Sequence, residues 1–323
     1  MSEKQAATQV HRPRILILGS AGQLGLELQR SFADLGEITA ADRSSVNLAQ
    51  PDEIRVLVRE IQPDIILNAA AYTAVDRAES EPELAYSINA EAPGILALEA
   101  RRLDALLIHY STDYVFDGTK PGPWTEDDPT HPLNVYGASK LAGEAAIHSS
   151  GARALVFRTS WVYGAHGKNF LFTMLRLARE RERLSVVDDQ IGAPTTSRAL
   201  ARATREIVSG LLAGRFGSAP TSPDLFHMTC SGSTSWLGFA QAIFARAALL
   251  DVKAPELVPI ATAGYPTPAA RPRNSVLSNA KLQERFAVQL PAWETALDEV
   301  VQILQGPVGG DIRRASSRAK ASE

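Results

Sequence analysis

A compact β-rich run, Arg14 to Leu18, passes directly into Gly19-Ser20-Ala21-Gly22-Gln23-Leu24-Gly25, and residues at helical spacing follow from Leu24 to Leu35. No other stretch narrows the fold as much. Glycines permit a tight strand-to-helix turn in which backbone N–H groups approach a pyrophosphate, and the helix N-terminus adds its positive end. The spacing is G-x-x-G-x-x-G rather than G-x-G-x-x-G, so the flanking strand and helix give the loop most of its weight.

The same alternation continues. Glu37 to Asp42 predicts a second strand, Pro51 opens a helix to about Ile61, and Asp64 to Asn68 is a buried strand. Ser80 followed by Glu83, with Pro82 between them, reads as a capping box, and a further helix is predicted from Pro93 to about Leu103. Ala105 to Tyr110 and Ala154 to Arg158 are further apolar strands. Continuous apolar strands alternating with helices require a parallel sheet covered on both faces. The fold class is therefore α/β: a Rossmann-type doubly wound parallel sheet with a smaller α/β substrate-binding lobe. Loops lengthen and prolines cluster after Trp161. The expected division is a disordered extension over 1–12, a dinucleotide-binding domain over 13–161 with about 196–220, the lobe over 162–195 and 221–305, and a disordered tail over 306–323.

Composition excludes several function classes. The 323-residue chain carries a formal net charge of −3, with no basic excess to hold nucleic acid. No apolar run approaches the roughly 20 residues that span a bilayer. The polar start, Met1 to Pro13, lacks a signal core, so a cytoplasmic location is expected. The single cysteine, Cys230, leaves no intrachain disulfide and no cysteine metal cluster.

Asp42, at the end of the second strand, suits an adenine ribose, while Arg43 beside it suits a 2′-phosphate, so NADPH and NADH both stay open. Small residues in Asn68-Ala69-Ala70-Ala71 let the backbone lie beside a dinucleotide. Tyr136 and Lys140 stand four apart and share a helix face. A cation there is expected to draw the phenol's pKa down and make a proton donor for a carbonyl. Thr112, just past a strand, is placed to hydrogen-bond that carbonyl.

Taken in order, these motifs resemble the extended short-chain dehydrogenase/reductases, and more closely the dTDP-4-dehydrorhamnose reductases, over about residues 14–304. The telling stretches are 19–25, 68–76, 109–116, 132–137, 158–164 and 189–195, with Arg271-Pro272-Arg273-Asn274-Ser275 near the end. The resemblance implies NAD(P)H-dependent reduction of the C4 ketone of dTDP-4-dehydro-L-rhamnose. Tyr136 would be the acid, Lys140 its partner and Thr112 the third member. It assigns Gly19, Gly22, Gln23, Leu24, Gly25, Asp42, Arg43, Asn47, Leu48, Ala70, Ala71, Tyr72, Thr73, Tyr110, Tyr136 and Lys140 to the cofactor. Thr112, Asp113, Trp161, Asn169, Gln190 and Arg271 would meet the dTDP-sugar. Some members are dimers bridged by Mg²⁺ on glutamates. Here Glu27 matches one such position, but Arg198 and Ile303 fall on the others, which implies no metal and a monomer or weak homodimer.

Two alternatives share the scaffold. A nucleotide-sugar epimerase, or a combined epimerase-reductase, would need a further acid/base pair, usually a cysteine and a histidine; Cys230 lies far along the chain beside His227. A non-catalytic regulatory subunit, like the β subunit of methionine adenosyltransferase, can retain Tyr-x-x-x-Lys, but a sugar-facing Trp161 has no purpose there.

Overall fold

The computed structural model describes residues 12–217 and 220–306. The extensions expected over 1–12 and 306–323 lie outside the described residues, save Arg12 and Gly306. Strands β1 (Arg14–Leu18), β2 (Glu37–Ala41), β3 (Ile65–Asn68), β4 (Leu106–Thr112), β5 (Ala154–Thr159) and β6 (Asp224–His227) form one sheet in the order β2-β1-β3-β4-β5-β6. Each neighbouring pair is parallel.

The continuous apolar runs follow from burial on both faces. Successive strand side chains point to opposite sides. Ile15, Ile17, Ile65, Leu67 and Ile108 join one core with Leu24 and Leu28 of α1 (Gln23–Phe32). Leu16, Leu18, Ile66 and Leu107 join the other with Ile54 and Val58 of α2 (Pro51–Ile61).

One helix differs from the expectation. The chain is helical from Pro82 through Leu103 (α3), with a π-helical turn over Ser87–Glu91. Ser80 does not cap it; its hydroxyl donates to the Arg77 carbonyl at 3.0 Å, and Glu81 holds the cap position. Pro93 has no N–H for the carbonyl four residues back, that of Asn89, and the wider turn absorbs this without breaking the helix.

Helix α4 (Val135–Ser150) is capped by Asn134, whose side chain accepts from Gly137 N–H, and Gly151 closes it at φ 63°. Its two inner glycines set its position. A Cβ at Gly137 would stand 2.2 Å from the Tyr114 carbonyl oxygen, and one at Gly143 2.1 Å from that of Asn89.

The lobe expected from residue 221 onward first returns to the large sheet, because β6 pairs in register with β5. Beyond it, Arg183–Val187 pairs with Glu256–Ile260. Helix α5 (Phe170–Glu180) leads into that lobe, α6 (Ser197–Leu212) packs back on α1, and α7 is Trp236–Ala245.

Candidate active site

Strand order reverses at β1, which has β2 on one side and β3 on the other, and a crevice opens at the carboxyl ends of strands at such a point. Its walls are the loop after β1 and the loop after β3. They touch: a Cβ on Gly19, whose φ is +73°, would lie 2.7 Å from the Ala70 nitrogen. Gly25 is fixed as firmly, with the Gly19 carbonyl oxygen 2.1 Å from its would-be Cβ. Helix α1 starts at Gly22 with no side chain capping its first N–H groups. That open positive end beside a backbone-lined crevice fits a pyrophosphate.

At the end of β2, the Asp42 carboxylate accepts from the Ser44 hydroxyl at 2.6 Å and the Ser44 N–H at 2.8 Å. The hydroxyl first, then the N–H, holds its pKa below the usual range. Arg43 is exposed, as are Asn47 and Thr73, whereas Leu48 packs on the core beneath. Tyr72 is buried and donates to Glu81. Tyr110 turns its side chain away from the crevice. Its ring lies in the core and its hydroxyl meets Thr204 Oγ1 at 2.7 Å, so only its main chain is left on the site side.

Tyr136, Lys140 and Thr112 converge. Thr112 ends β4; its Oγ1 accepts from Tyr114 N–H at 3.2 Å and donates to Asp113 Oδ1 at 3.0 Å, and its hydroxyl lies on the side of the Tyr136 phenol, whose ionised form it favours. Burial pushes that phenol up to about 12, against the smaller opposing effect of Thr112. This reverses the expectation that Lys140 would draw it down. The lysine nitrogen is instead held by the Tyr110 carbonyl at 2.6 Å and His109 Nε2 at 3.1 Å.

On the other side of Thr112, Asp113 is buried, and desolvation lifts its pKa to about 6. Its Oδ2 makes no direct hydrogen bond, and the Ser275 hydroxyl beside the carboxylate favours the charged form. Thr112 pairs in register with Thr159, which puts Trp161 at the same carboxyl edge. Trp161 sits at φ 48° and stacks on Trp236 with ring centroids 3.5 Å apart. Gly192 makes room, since a Cβ there would fall 2.5 Å from Trp161 Cε2. Gln190 accepts from Trp236 Nε1 at 3.2 Å and donates to Thr262 at 3.1 Å. Arg271 pairs with Asp76 at 2.8 Å and donates to the Ala269 carbonyl at 3.1 Å.

Asn169 does not present its amide to a ligand. Its Nδ2 serves Gln23 Oε1, the Gly164 carbonyl and the His166 carbonyl, and its Oδ1 caps α5. With both ends of the amide occupied, it ties the glycine loop to the loop before α5.

The family model described as RmlD substrate binding domain matches residues 13–305. The dTDP-4-dehydrorhamnose reductase of Burkholderia thailandensis is 49% identical over 295 residues, spanning 90% of this chain and 99% of that protein. The chain belongs to the dTDP-4-dehydrorhamnose reductase family. The Escherichia coli K12 member is 46% identical over 90% of this chain and 97% of its own. Among solved structures, the Bacillus anthracis dTDP-4-dehydrorhamnose reductase in complex with NADP superposes with a TM-score of 0.81 at 36% identity, covering 90% of this chain and 98% of that one. A Thermus thermophilus UDP-glucose 4-epimerase shares the fold, with a TM-score of 0.70 at 20% identity over 91% of this chain and all of that one.

Within this reductase-family site, the sequence reading missed the side chains beneath the reacting groups. Asn89, in the π turn of α3, accepts from Tyr72 N–H at 2.8 Å and donates to the Tyr72 carbonyl and to Ser139 Oγ. Glu144, one turn beyond Lys140, takes two bonds from Arg158 at 2.9 and 2.6 Å and a third from Ser111. Trp236 was missed as well. The sequence signal for Asn89 and Glu144 was a polar residue in a mainly apolar stretch, and Trp236 carried none.

Glu27, Arg198 and Ile303 line one cleft with Arg30, Ser31, His166 and Arg202. Glu27 is ion-paired to Arg30 at 2.7 Å. Cys230, the residue a combined epimerase would need, is buried in the core, and burial pushes its thiol up to about 11.

Proposed function

We propose that this chain catalyses NAD(P)H-dependent reduction of the C4 ketone of dTDP-4-dehydro-L-rhamnose to dTDP-L-rhamnose. The observation that carries the reading is the convergence of Thr112, at the carboxyl edge of the sheet, with Tyr136 and Lys140, one turn apart on α4. The backbone-lined crevice beside it would hold the dinucleotide, through the N–H groups at Gly22–Leu24, the Asp42–Arg43 corner and the Ala70–Thr73 loop. When bound, reduced nicotinamide supplies the hydride to C4.

The chain's own groups supply the rest. As the C4–O π bond breaks, Tyr136 gives its phenolic proton to the oxygen, a step worth about 10²–10⁴-fold. Thr112 redirects its hydroxyl proton from Asp113 to that oxygen and holds it in line. Asp113 Oδ2 takes a sugar hydroxyl, and the Trp161–Trp236 stack forms a flat wall for the ring. Remote binding of the nucleotide serves to place the ketone.

The buried Cys230 thiol, far above neutral pH, argues against the epimerase-reductase alternative. We also place the enzyme in the cytoplasm, as a monomer or weak homodimer with no metal bridge. The Arg30 guanidinium already occupies the Glu27 carboxylate, and Arg198 and Arg202 would repel a cation in that cleft. Among the described residues, no helix is long and apolar enough to cross a membrane.

The deciding experiment follows NAD(P)H absorbance with freshly made dTDP-4-keto-L-rhamnose. Rapid oxidation that collapses in Tyr136→Phe upholds the reading. Folded protein that oxidises neither cofactor overturns it in favour of a binding module.

A further inference from the structure

Just beyond the end of β5, the backbone of Trp161 stands at φ 48°, a left-handed state that a residue with a Cβ leaves unless its surroundings hold it there. Its main chain is pinned by the segment 193–195. The Ser160 hydroxyl donates to the Ala193 carbonyl at 2.9 Å, and the Trp161 carbonyl accepts from Thr195 N–H at 3.3 Å. Its ring is held by the lobe. Trp236 stacks on it with centroids 3.5 Å apart and planes 5° from parallel. Gly192 closes the slot, since a Cβ there would fall 2.5 Å from Trp161 Cε2 and 2.7 Å from its Nε1. A return of the backbone to an ordinary φ would swing the indole out of this slot.

Trp236 is itself tied down. It opens α7, whose capping residue Ser235 donates to Asp188 Oδ1 at 2.6 Å and accepts from Gly238 N–H at 2.9 Å. Its Nε1 donates to Gln190 Oε1 at 3.2 Å, and the buried Gln190 amide donates in turn to Thr262 at 3.1 Å. Phe170, at the start of α5, packs on the same indole with centroids 4.6 Å apart. Trp161 and Trp236 are both only half-buried, so filling the core does not account for a strained backbone and a doubly secured ring. Strain of this kind persists where the surrounding structure over-determines it, and it gathers at ligand sites.

We propose that Trp236 is a positioning residue for the sugar side of the site. Its indole, fixed by Gln190 and Phe170, keeps Trp161 left-handed and its ring at the carboxyl edge where β4 ends in Thr112 and passes into Asp113. Trp161 thereby sets where the sugar ring lies against the reducing groups, and Trp236 acts only through it. The inference rests on the reading of that edge as the site of a keto-sugar.

The test reads Trp161 against Gly192, not against the substituted ring. The nuclear Overhauser contact between the Trp161 indole and the Gly192 Cα protons, assigned by its loss in Trp161→Phe, is recorded in unliganded wild type, Trp236→Leu and Trp236→Phe. Leucine offers no flat face, and the contact is expected to be lost; phenylalanine still stacks and should retain it. With dTDP-4-keto-L-rhamnose, kcat/KM for the sugar should fall by about 10- to 100-fold in Trp236→Leu and be largely restored in Trp236→Phe, with the KM for NAD(P)H within about twofold of wild type. Should the leucine variant not fold, Trp236→Met, whose flexible chain refills the space without a flat face, replaces it. A contact that survives in the folded leucine or methionine variant, or a lost contact with kcat/KM for the sugar unchanged, overturns the proposal. Wild-type protein that oxidises no NAD(P)H sinks the reductase reading instead, and the Trp161–Gly192 contact in the variants then still decides whether Trp236 holds Trp161.

Discussion

The two sides of the crevice are built from different materials. The cofactor side is backbone. Gly19 meets Ala70 main chain to main chain, Gly25 meets the Gly19 carbonyl, and the side chains of Asp42 and Arg43 stand at the surface. The reacting side is buried side chains. Lys140, His109, Glu144, Arg158, Asn89 and Ser139 are all 9% exposed or less and are joined in hydrogen-bonded clusters. A wall of backbone adapts to a ligand common to many chemistries. A wall of desolvated charges fixes one proton donor, because each member is costly unless its partner is in place. Substitutions on the reacting side should therefore cost activity or folding outright, and those on the cofactor side should mainly shift affinity.

The largest effects should come from the reacting side. Tyr136→Phe removes the proton donor, and kcat should fall by about 10²–10⁴-fold with thermal stability nearly unchanged. Beneath it, Glu144→Gln leaves the buried Arg158 guanidinium without its counter-charge, and unfolding in denaturant should show a loss of about 3–5 kcal/mol. The double variant Glu144→Leu with Arg158→Met should be less destabilised than Glu144→Gln alone. If the two prove equal, the pair is not the reason α4 sits where it does.

This contrast also explains what could be read in advance. The glycine loop, the β-strands and Tyr136–Lys140 are local patterns, and each appears at its expected place. The capping box at Ser80 failed because Glu81 holds the cap position, and the expected break near Pro93 is bridged by the π turn, which makes one helix of two segments. Asn169 was expected to meet the dTDP-sugar, and its amide is instead engaged on both ends within the chain. Its partners include Gln23, 146 residues away in sequence. His109 and Glu144 were invisible for the same reason: a polar residue in an apolar strand or helix gains meaning only from partners 31 and 14 residues away.

Next in size is a test of backbone contact. In Gly25→Ala the new methyl meets the Gly19 carbonyl oxygen at 2.1 Å, so the turn must open, at about 1–3 kcal/mol of stability. Gly22→Ala meets the same oxygen at 3.1 Å and should be milder in denaturant. Both should raise the KM for NAD(P)H more than they lower kcat. A fall in kcat alone would mean that the cofactor wall also shapes the reacting side.

Acid should distinguish the buried groups by sign. Burial draws His227 down to about 3, so the stability its neutral form contributes is complete above pH 6.5 and is lost as pH falls from there toward 3. Burial lifts Asp113 to about 6, so its contribution runs the other way, present below its ordinary range near 4 and lost as pH rises through 6. Wild-type unfolding free energy should fall between pH 6 and 4 by up to about 1 kcal/mol per unit from each buried histidine, and His227→Gln should flatten that slope.

The smallest effect probes the cofactor wall's exposed corner. Arg43→Ala removes an exposed side chain, and stability should stay within about 0.5 kcal/mol of wild type. Its consequence is expected in the choice between two cofactors. A guanidinium there can pair with a 2′-phosphate, while Asp42, kept ionised by Ser44, favours a free ribose hydroxyl. Loss of Arg43 should raise the KM for NADPH by about tenfold, or ~1.4 kcal/mol, and leave that for NADH unchanged. Equal losses with both cofactors would show that Arg43 orders the loop after β2 instead of reading the phosphate. No loss with either would mean that backbone alone recognises the adenosine end, and the difference between the two walls would then be complete.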